Sequence, residues 1–267
     1  MLQLEAGIIE KLLSEKDCPL HVRCTEETDS TNEWAKREKL TGAEARSGVV
    51  YLADYQTAGK GRRGHVWKSP RGTSVSMSIC IHPDLTPDRL SMLTLVMGMA
   101  AADGIRDVTG IAAGIKWPND VVYESRKLCG ILTEYDAQTG NVIIGIGLNI
   151  NMDAFPEELL EVAASLRMIT GKMEDREQVT AAVICRFWKY YTLFCETGDL
   201  KMLKPAYEAI LVNRGRAVQV MDPKKPFRGI AAGITDTGEL IVSREDTGEM
   251  VTVYSGEVSV RGVYGYV

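Results

Sequence analysis

Residues 54–72, DYQTAGKGRRGHVWKSPRG, set Lys60, Arg62, Arg63, Lys68 and Arg71 around Gly59, Gly61 and Gly64. From Tyr55 to Pro83 the chain carries no Asp or Glu, although the protein as a whole has 36 acidic against 31 basic side chains and a formal net charge of −5. Glycine lets backbone N–H groups come close to an anion, and lysine and arginine add charge and fork-shaped donors for phosphate or carboxylate. One basic run in an acidic chain points to a small anionic ligand rather than a long polyanion. On composition alone such a loop is as readily a solvated surface loop. The GxxxxGK[ST] order is missing, so it is not a P-loop.

Three further segments offer chemistry. In GIKWPNDVVYESRKLCGILTE, Lys116 and Asp120 bracket a Trp-Pro-Asn turn, and Lys127 opens the next apolar run. Taken singly, these residues read as solvated lysines, a core tryptophan and an Asx turn. In VIIGIGLNIN, Gly145 and Gly147 interrupt a β-prone run, which suits close approach by a ligand or by another backbone. In TEETDSTNEWAK, Ser30, Thr31 and Asn32 either cap a helix or offer uncharged donors and acceptors to a polar heterocycle.

The elements that must position these residues follow from apolar periodicity. A first helix carries Leu4, Ile8, Ile9, Leu12 and Leu13 on one face and stops before Pro19. A short strand lies near Val22, and a helix TNEWAKREKL follows a cap at Ser30 or Thr31, with Glu33 in its first turn where the dipole favours an acid. Residues 48–53 form a buried strand leading straight into the basic loop, and residues 74–81 alternate with period two. A long helix runs from Thr86-Pro87 to about Asp107. Short β segments around Ile115, Val121-Val122, 128–134 and 142–150 form antiparallel hairpins, followed by helices over 177–195 and 200–211. From Arg216 onward the runs AVQV, FRGIAAGI, LIVS, MVTVY and VSVRGV, with turns such as Asp222-Pro223, Thr237-Gly238 and Thr247-Gly248, form a small all-β barrel docked on the main domain.

Composition narrows the class. The length and the 45% apolar content support a buried core in one large domain plus a small one. Acidic balance argues against a nucleic-acid partner, because counterion release needs a basic surface. No stretch reaches the roughly 18 uncharged residues of a spanning helix, and the opening MLQLEAGIIEK has Glu5 and Glu10 where a secretory signal is basic, so no membrane is expected and the expected location is cytoplasmic. Cys18, Cys24, Cys80, Cys129, Cys185 and Cys195 form no CxxC pair and read as reduced core residues, while the scattered His21, His65 and His82 make no metal cage.

Taken together and in order, DSTN at 29–32, GKGRRGHVW at 59–67, KWPND at 116–120, RKLCGILTE at 126–134, GIGLN at 145–149 and YSGEVSVR at 254–261 resemble the biotin-protein ligase family. The resemblance implies an α+β fold: a mixed β-sheet flanked by helices, like the class II aminoacyl-tRNA synthetases, followed by an SH3-like β-barrel. The expected domains are residues 1–212, binding biotin and ATP, and residues 213–267. The implied reaction is formation of biotinyl-5′-AMP from biotin and ATP, with Mg²⁺, and transfer to a lysine of the biotin carrier domain of a carboxylase. By the same resemblance Ser30, Thr31, Asn32 and Gln56 hold the ureido ring. Lys60, Gly61 and Arg62 form the loop over the biotin tail and phosphate, and Gly130 lies beside the biotin. Lys127 stands at the junction of carboxylate and α-phosphate and, with Arg62, is the expected catalytic pair. Trp67 matches an aromatic that stacks on adenine, and Asn149 a base or ribose contact. Lys116 and Asn119 are expected to position the nucleotide, and Asp120 to orient the acceptor lysine; no residue is assigned to metal.

Lys60 and His65 stand where the family commonly has arginine, which removes the planar fork at one place and, near pH 7, most of the charge at the other. Repressor-type members carry a winged helix-turn-helix ahead of DSTN; 29 residues precede Ser30 here, and no operator binding is expected. Members often dimerise by pairing sheet edges, so a homodimer is one expectation, although no edge is identifiable from the sequence. The alternatives are a lipoate-protein ligase, which would lack the GxGRRGxxW and KWPND pair, and a biotin-binding module without catalysis, against which Lys127 and Arg62 speak.

Overall fold

Val- and Ile-rich runs satisfy their backbone groups by pairing into one large sheet, seen in a computed structural model that describes residues 3–222, 225–255 and 259–262. Its strands are β1 His21–Thr28, β2 Val49–Gln56, β3 Ser74–Ile81, β4 Gly114–Lys116, β5 Asp120–Tyr123, β6 Arg126–Asp136 and β7 Asn141–Asn149, in the order β1-β2-β3-β7-β6-β5-β4. β1 and β2 are parallel and the other neighbours antiparallel, so the sheet is mixed as expected.

Both faces are covered. The aliphatic side of β3 (Val75, Met77, Ile79, Ile81) joins the main core with α1 Ala6–Ser14, α4 Leu93–Thr109 and α6 Arg176–Thr197. On the other side α2 Thr31–Glu38 and α3 Gly42–Ser47 enclose a smaller cluster of Ala35, Leu40, Ala45, Val49, Tyr51, Cys80 and Ile143. Hence β3 is buried along its whole length, although its serines alternate with apolar residues as if one face met water.

Several expectations shift in detail. Ile9 and Leu13 of α1 are buried, whereas Ile8 is exposed. The predicted helix from Thr86 begins as a 3-10 turn, Pro87–Met92, and becomes α-helical only at Leu93. The helix expected over 200–211 shortens to α7 Lys204–Ala209, with Pro205 in its first turn. α3 and α5 Leu166–Thr170, each under two turns, carry too few residues for a periodic signal. All six cysteines are free.

The later strands β8 Ala217–Met221, β9 Phe227–Ile234, β10 Leu240–Arg244, β11 Met250–Val253 and β12 Ser259–Gly262 form a separate antiparallel sheet in the order β11-β10-β9-β8-β12. This is the small SH3-like unit. Met1, Leu2, Pro223, residues 256–258 of YSGEVSVR and Val263 lie outside the described residues. The two sheets meet at Trp117, whose backbone N–H donates to Asn213 Oδ1 (2.8 Å) and whose indole N–H donates to the Gly238 carbonyl (3.0 Å).

Candidate active site

A cavity opens on the sheet face beneath α2 and the basic loop. Of the residues expected at a site, Ser30, Thr31, Asn32, Gln56, Lys60, Gly61, Arg62, Trp67, Asn119, Lys127 and Gly130 all line it. Its inner end is polar and almost closed to water, with Ser30, Thr31 and Asn32 each 3–4% exposed. Ser30 is the N-cap of α2 by backbone geometry, yet its side chain makes no capping hydrogen bond. Thr31 donates from its backbone N–H (2.8 Å) and its hydroxyl (3.1 Å) to Gln56 Oε1, so the Gln56 amide is held carbonyl-inward. Ser78 Oγ lies 2.7 Å from Thr31 Oγ1 and 2.5 Å from Asn32 Oδ1. A hydroxyl has one hydrogen, so Ser78 serves one acceptor at a time. The sequence gives Ser78 no signal; only its place on β3 under α2 brings it to the pocket.

The floor is opened by Gly130, Gly145 and Gly147, with Met77, Ile131, Leu132 and Ile146 beside them. Gly147 pairs with Ser76 on one side and Gly130 on the other, a row of small residues across three strands, and Gly145 pairs with Ser78 and with Leu132, which closes the second row. A Cβ on Gly147 would stand 2.6 Å from Cζ2 and 2.7 Å from Nε1 of Trp67, and one on Gly145 would stand 2.9 Å from Cγ of Asn32. Glycine is required here by close approach, not by backbone conformation. Trp67 therefore lies flat against the floor inside the cavity, with Lys127 Nζ 5.7 Å from its ring centroid.

The basic loop folds into a small hairpin, with Lys60 bridged to Val66 and the Gly61 N–H donating to the His65 carbonyl (2.7 Å). Arg63 takes a left-handed conformation (φ 55°) at the tip. Arg62 turns inward, donating to Asn119 Oδ1 (2.8 Å) and to the Ser255 carbonyl of the small domain. Burial, and then repulsion from Arg63, pull its pKa below the ordinary guanidinium value, but arginine stays charged at any pH of interest. Lys127 Nζ is 2.6 Å from Asp120 Oδ1. Lys60 is directed elsewhere: it donates to Glu33 Oε1 at 2.8 Å, and with Lys36 it holds the Glu33 carboxyl below its usual range.

Three expected residues lie outside the cavity lining. Asn149 is 4% exposed, and its Nδ2 donates to the Lys127 carbonyl (3.4 Å), so it supports Lys127 from below. Lys116 is 6% exposed, and burial lowers its pKa to about 8, with Asp120 opposing the shift and Lys127 and Arg261 adding to it. Asp120 faces Lys127, its partner across the ion pair. Of the remaining loop cations, Arg63, His65 and Lys68 are exposed, and Arg71 pairs with Glu27 and covers the Tyr55 ring.

A polar pocket closed at one end, a floor of glycines flanked by apolar side chains and two cations at the mouth suit an acid with a hydrogen-bonding head and an apolar tail, its carboxylate presented to phosphate. Residues 24–151 match the model of the biotin/lipoate A/B protein ligase family, and residues 215–261 the biotin protein ligase C-terminal domain. The chain is 35% identical over 226 residues to the bifunctional ligase/repressor BirA of Bacillus subtilis, covering 82% of this chain and 68% of that one. It is 30% identical over 237 residues to the biotin–[acetyl-CoA-carboxylase] ligase of Mycobacterium tuberculosis, covering 87% and 86%. A solved biotin protein ligase from Aquifex aeolicus in complex with biotin and ATP superposes with a TM-score of 0.80 at 30% identity, covering 90% of this chain and 98% of that one. Motifs, sheet order, cavity and relatives agree, and the chain belongs to the biotin/lipoate A/B protein ligase family.

Proposed function

We propose that this protein is a ligase that activates biotin with ATP as biotinyl-5′-AMP and passes the biotinyl group to a lysine of a carrier domain of a biotin-dependent carboxylase. The observation that carries the reading is that a closed polar head pocket and the Lys127–Arg62 cation pair share one cavity, a glycine floor apart. In the first step a carboxylate oxygen attacks the α-phosphorus and pyrophosphate leaves. In the second, the acceptor amine attacks the acyl carbon, AMP departs, and an amide forms with loss of a proton.

Two unit charges about 4 Å apart repel by about 1 kcal/mol in water and about 4 kcal/mol at an effective dielectric constant of 20. Lys127, at the mouth, offsets that repulsion between carboxylate and phosphate, and Arg62 stabilises the charge that grows on phosphorus. Ser30, Thr31, Asn32 and Gln56 take the ureido ring; Gly130 underlies the tail; Gly61 and Lys60 close the loop above it. Trp67 forms the wall between tail and adenine. Asn119, through Arg62, and Lys116, through its charge, position the nucleotide, and Asn149 keeps Lys127 in register. Asp120 orients first Lys127 and then the incoming acceptor amine.

Mg²⁺ would enter with the triphosphate. It would need only one or two protein carboxylates, and Asp120, beside Lys127 at the mouth of the cavity, would be the group to hold it, supplying charge neutralisation at the phosphates. Residues 1–212 are assigned to catalysis and 213–267 to the small domain, which reaches the site through Ser255 and Arg62. A homodimer through a sheet edge belongs to the same reading, β1 being an outer strand of the large sheet. The acidic balance favours a protein partner over nucleic acid, and among the described residues no helix is long and apolar enough to cross a membrane. The test is exchange of labelled pyrophosphate into Mg-ATP, followed by transfer to an isolated carrier domain. Exchange is expected with biotin and not with lipoate; equal exchange with both acids, or none with either, refutes the reading.

A further inference from the structure

The glutamate that ends RKLCGILTE has no part in the chemistry above, yet Glu134, outside the cavity lining, reaches back to Asn32 of the head pocket. Its Oε2 accepts from Asn32 Nδ2 at 2.7 Å, and the same nitrogen donates to the Leu132 carbonyl at 3.3 Å. Both amide hydrogens of Asn32 are thereby used on the protein, and its Oδ1 is turned toward Ser78 and the glycine floor. An asparagine so held offers an acceptor to the cavity, which is what a ureido N–H needs. Were the amide flipped, its oxygen would face the Glu134 carboxylate.

The other oxygen of Glu134 continues outward. Oε1 accepts from Lys36 Nζ at 2.7 Å; Lys36 also donates to Glu33 Oε1 at 3.0 Å, and Glu33 Oε1 accepts from Lys60 at 2.8 Å. Signs alternate along Lys60, Glu33, Lys36 and Glu134, so each charge has an opposite neighbour on the path from the basic loop to the head pocket. The four side chains are 28–50% exposed, so each pair by itself contributes little to stability. Their geometry, not their energy, is what distinguishes them.

We propose that Glu134, Lys36 and Glu33 are positioning residues for the biotin site: they fix the amide of Asn32 as an acceptor and tie that orientation to the seating of Lys60, so that recognition of the ureido head and closure of the basic loop are one event. This rests on the biotin-ligase reading. It also gives Lys60 a function as a loop anchor, for which a single ammonium suffices where a planar fork would serve phosphate.

The test measures biotin dissociation from the full chain, by stopped-flow tryptophan fluorescence, in Glu134→Gln, Lys60→Met and the double variant, with thermal unfolding as the check on folding. Each single change is expected to speed release about tenfold, the scale of one charge-assisted hydrogen bond. The double variant is expected to release no faster than the faster single variant, because both break one connected path; independent sites would multiply to about a hundredfold. A second arm uses Asn32→Asp, expected to lose biotin affinity through repulsion from Glu134, and Asn32→Asp with Glu134→Gln, in which the new amide donates to the new carboxylate and affinity is expected to recover at least in part. Multiplicative single effects, release from Glu134→Gln at the parent rate, or no recovery in the paired variant would each overturn the relay alone. A parent chain that binds no biotin would overturn the ligase reading and the relay together.

Discussion

Substitution of Gly147 by alanine tests the floor directly. The added Cβ would stand 2.6 Å from Cζ2 of Trp67 and 2.7 Å from its Nε1, whereas carbon contacts rest at about 3.5–4.0 Å, so the indole must withdraw by about 1 Å. In the free protein the cavity gives the ring somewhere to go, and the thermal midpoint should fall little. With biotin bound that room is filled and the misfit remains. Overpacking of a filled interior costs about 1–3 kcal/mol, which corresponds to biotin affinity weakened about 5- to 150-fold. The measurement is a biotin titration followed by tryptophan fluorescence, together with KM for biotin in pyrophosphate exchange. Gly7→Ala is the matched control: it lies in α1 with nothing within 4 Å of the added atom, and should leave biotin affinity unchanged while raising stability by about 1 kcal/mol, the helix-propensity difference. A folded Gly147→Ala chain that binds biotin as tightly as the parent would refute the floor as the tail's resting place.

Lys127→Ala is expected to keep the fold and to lower exchange by at least about 100-fold, the scale of removing one preorganised charge from a transition state; near-parental exchange would show the lysine to be misassigned. Lys116→Met should raise stability at pH 7 and impair turnover. The folded chain depresses the Lys116 pKa from 10.5 to about 8, so the unfolded chain takes up a proton that the folded one resists; this penalty is complete below about pH 8 and disappears as pH rises toward 10.5. Urea unfolding of parent and variant at pH 7 and pH 10 checks this, and an advantage that does not shrink at the higher pH would contradict it. Arg176 pairs with Asp54 at 2.7 Å with both side chains at most 7% exposed, so Arg176→Met should cost about 3–5 kcal/mol by stranding a buried carboxylate. Urea unfolding with a loss below 1 kcal/mol would mean that Asp54 is neutralised in some other way.

The site was more legible than its supports. Contiguous motifs pointed to Lys127, Arg62 and the Ser30–Asn32 segment because their spacing is local, and the cavity gathers those residues from three places in the chain. What the sequence hid is what depends on cross-strand register. The alternation in β3 marks two faces without saying what covers the serines, because a period of two cannot tell water from a helix such as α2. Lys60 and Glu33 lie 27 residues apart and Asn32 and Glu134 lie 102 apart, so neither pair leaves a local trace. The resemblance gives Asn149 a base or ribose contact; in the structure it stands at the end of β7, opposite Ser74, with its amide on the Lys127 carbonyl.

The glycine floor has a further consequence for how the protein reports its surroundings. Where Gly130, Gly145 and Gly147 leave the sheet face bare, the layer is unfinished, and the bound acid supplies the missing packing. Substrate thus completes the fold, and ligand present at 100 times its dissociation constant adds about 2.7 kcal/mol to stability. Resistance of the basic hairpin to proteolysis should accordingly rise and fall with biotin supply, making the lifetime of the enzyme a gauge of the vitamin it consumes.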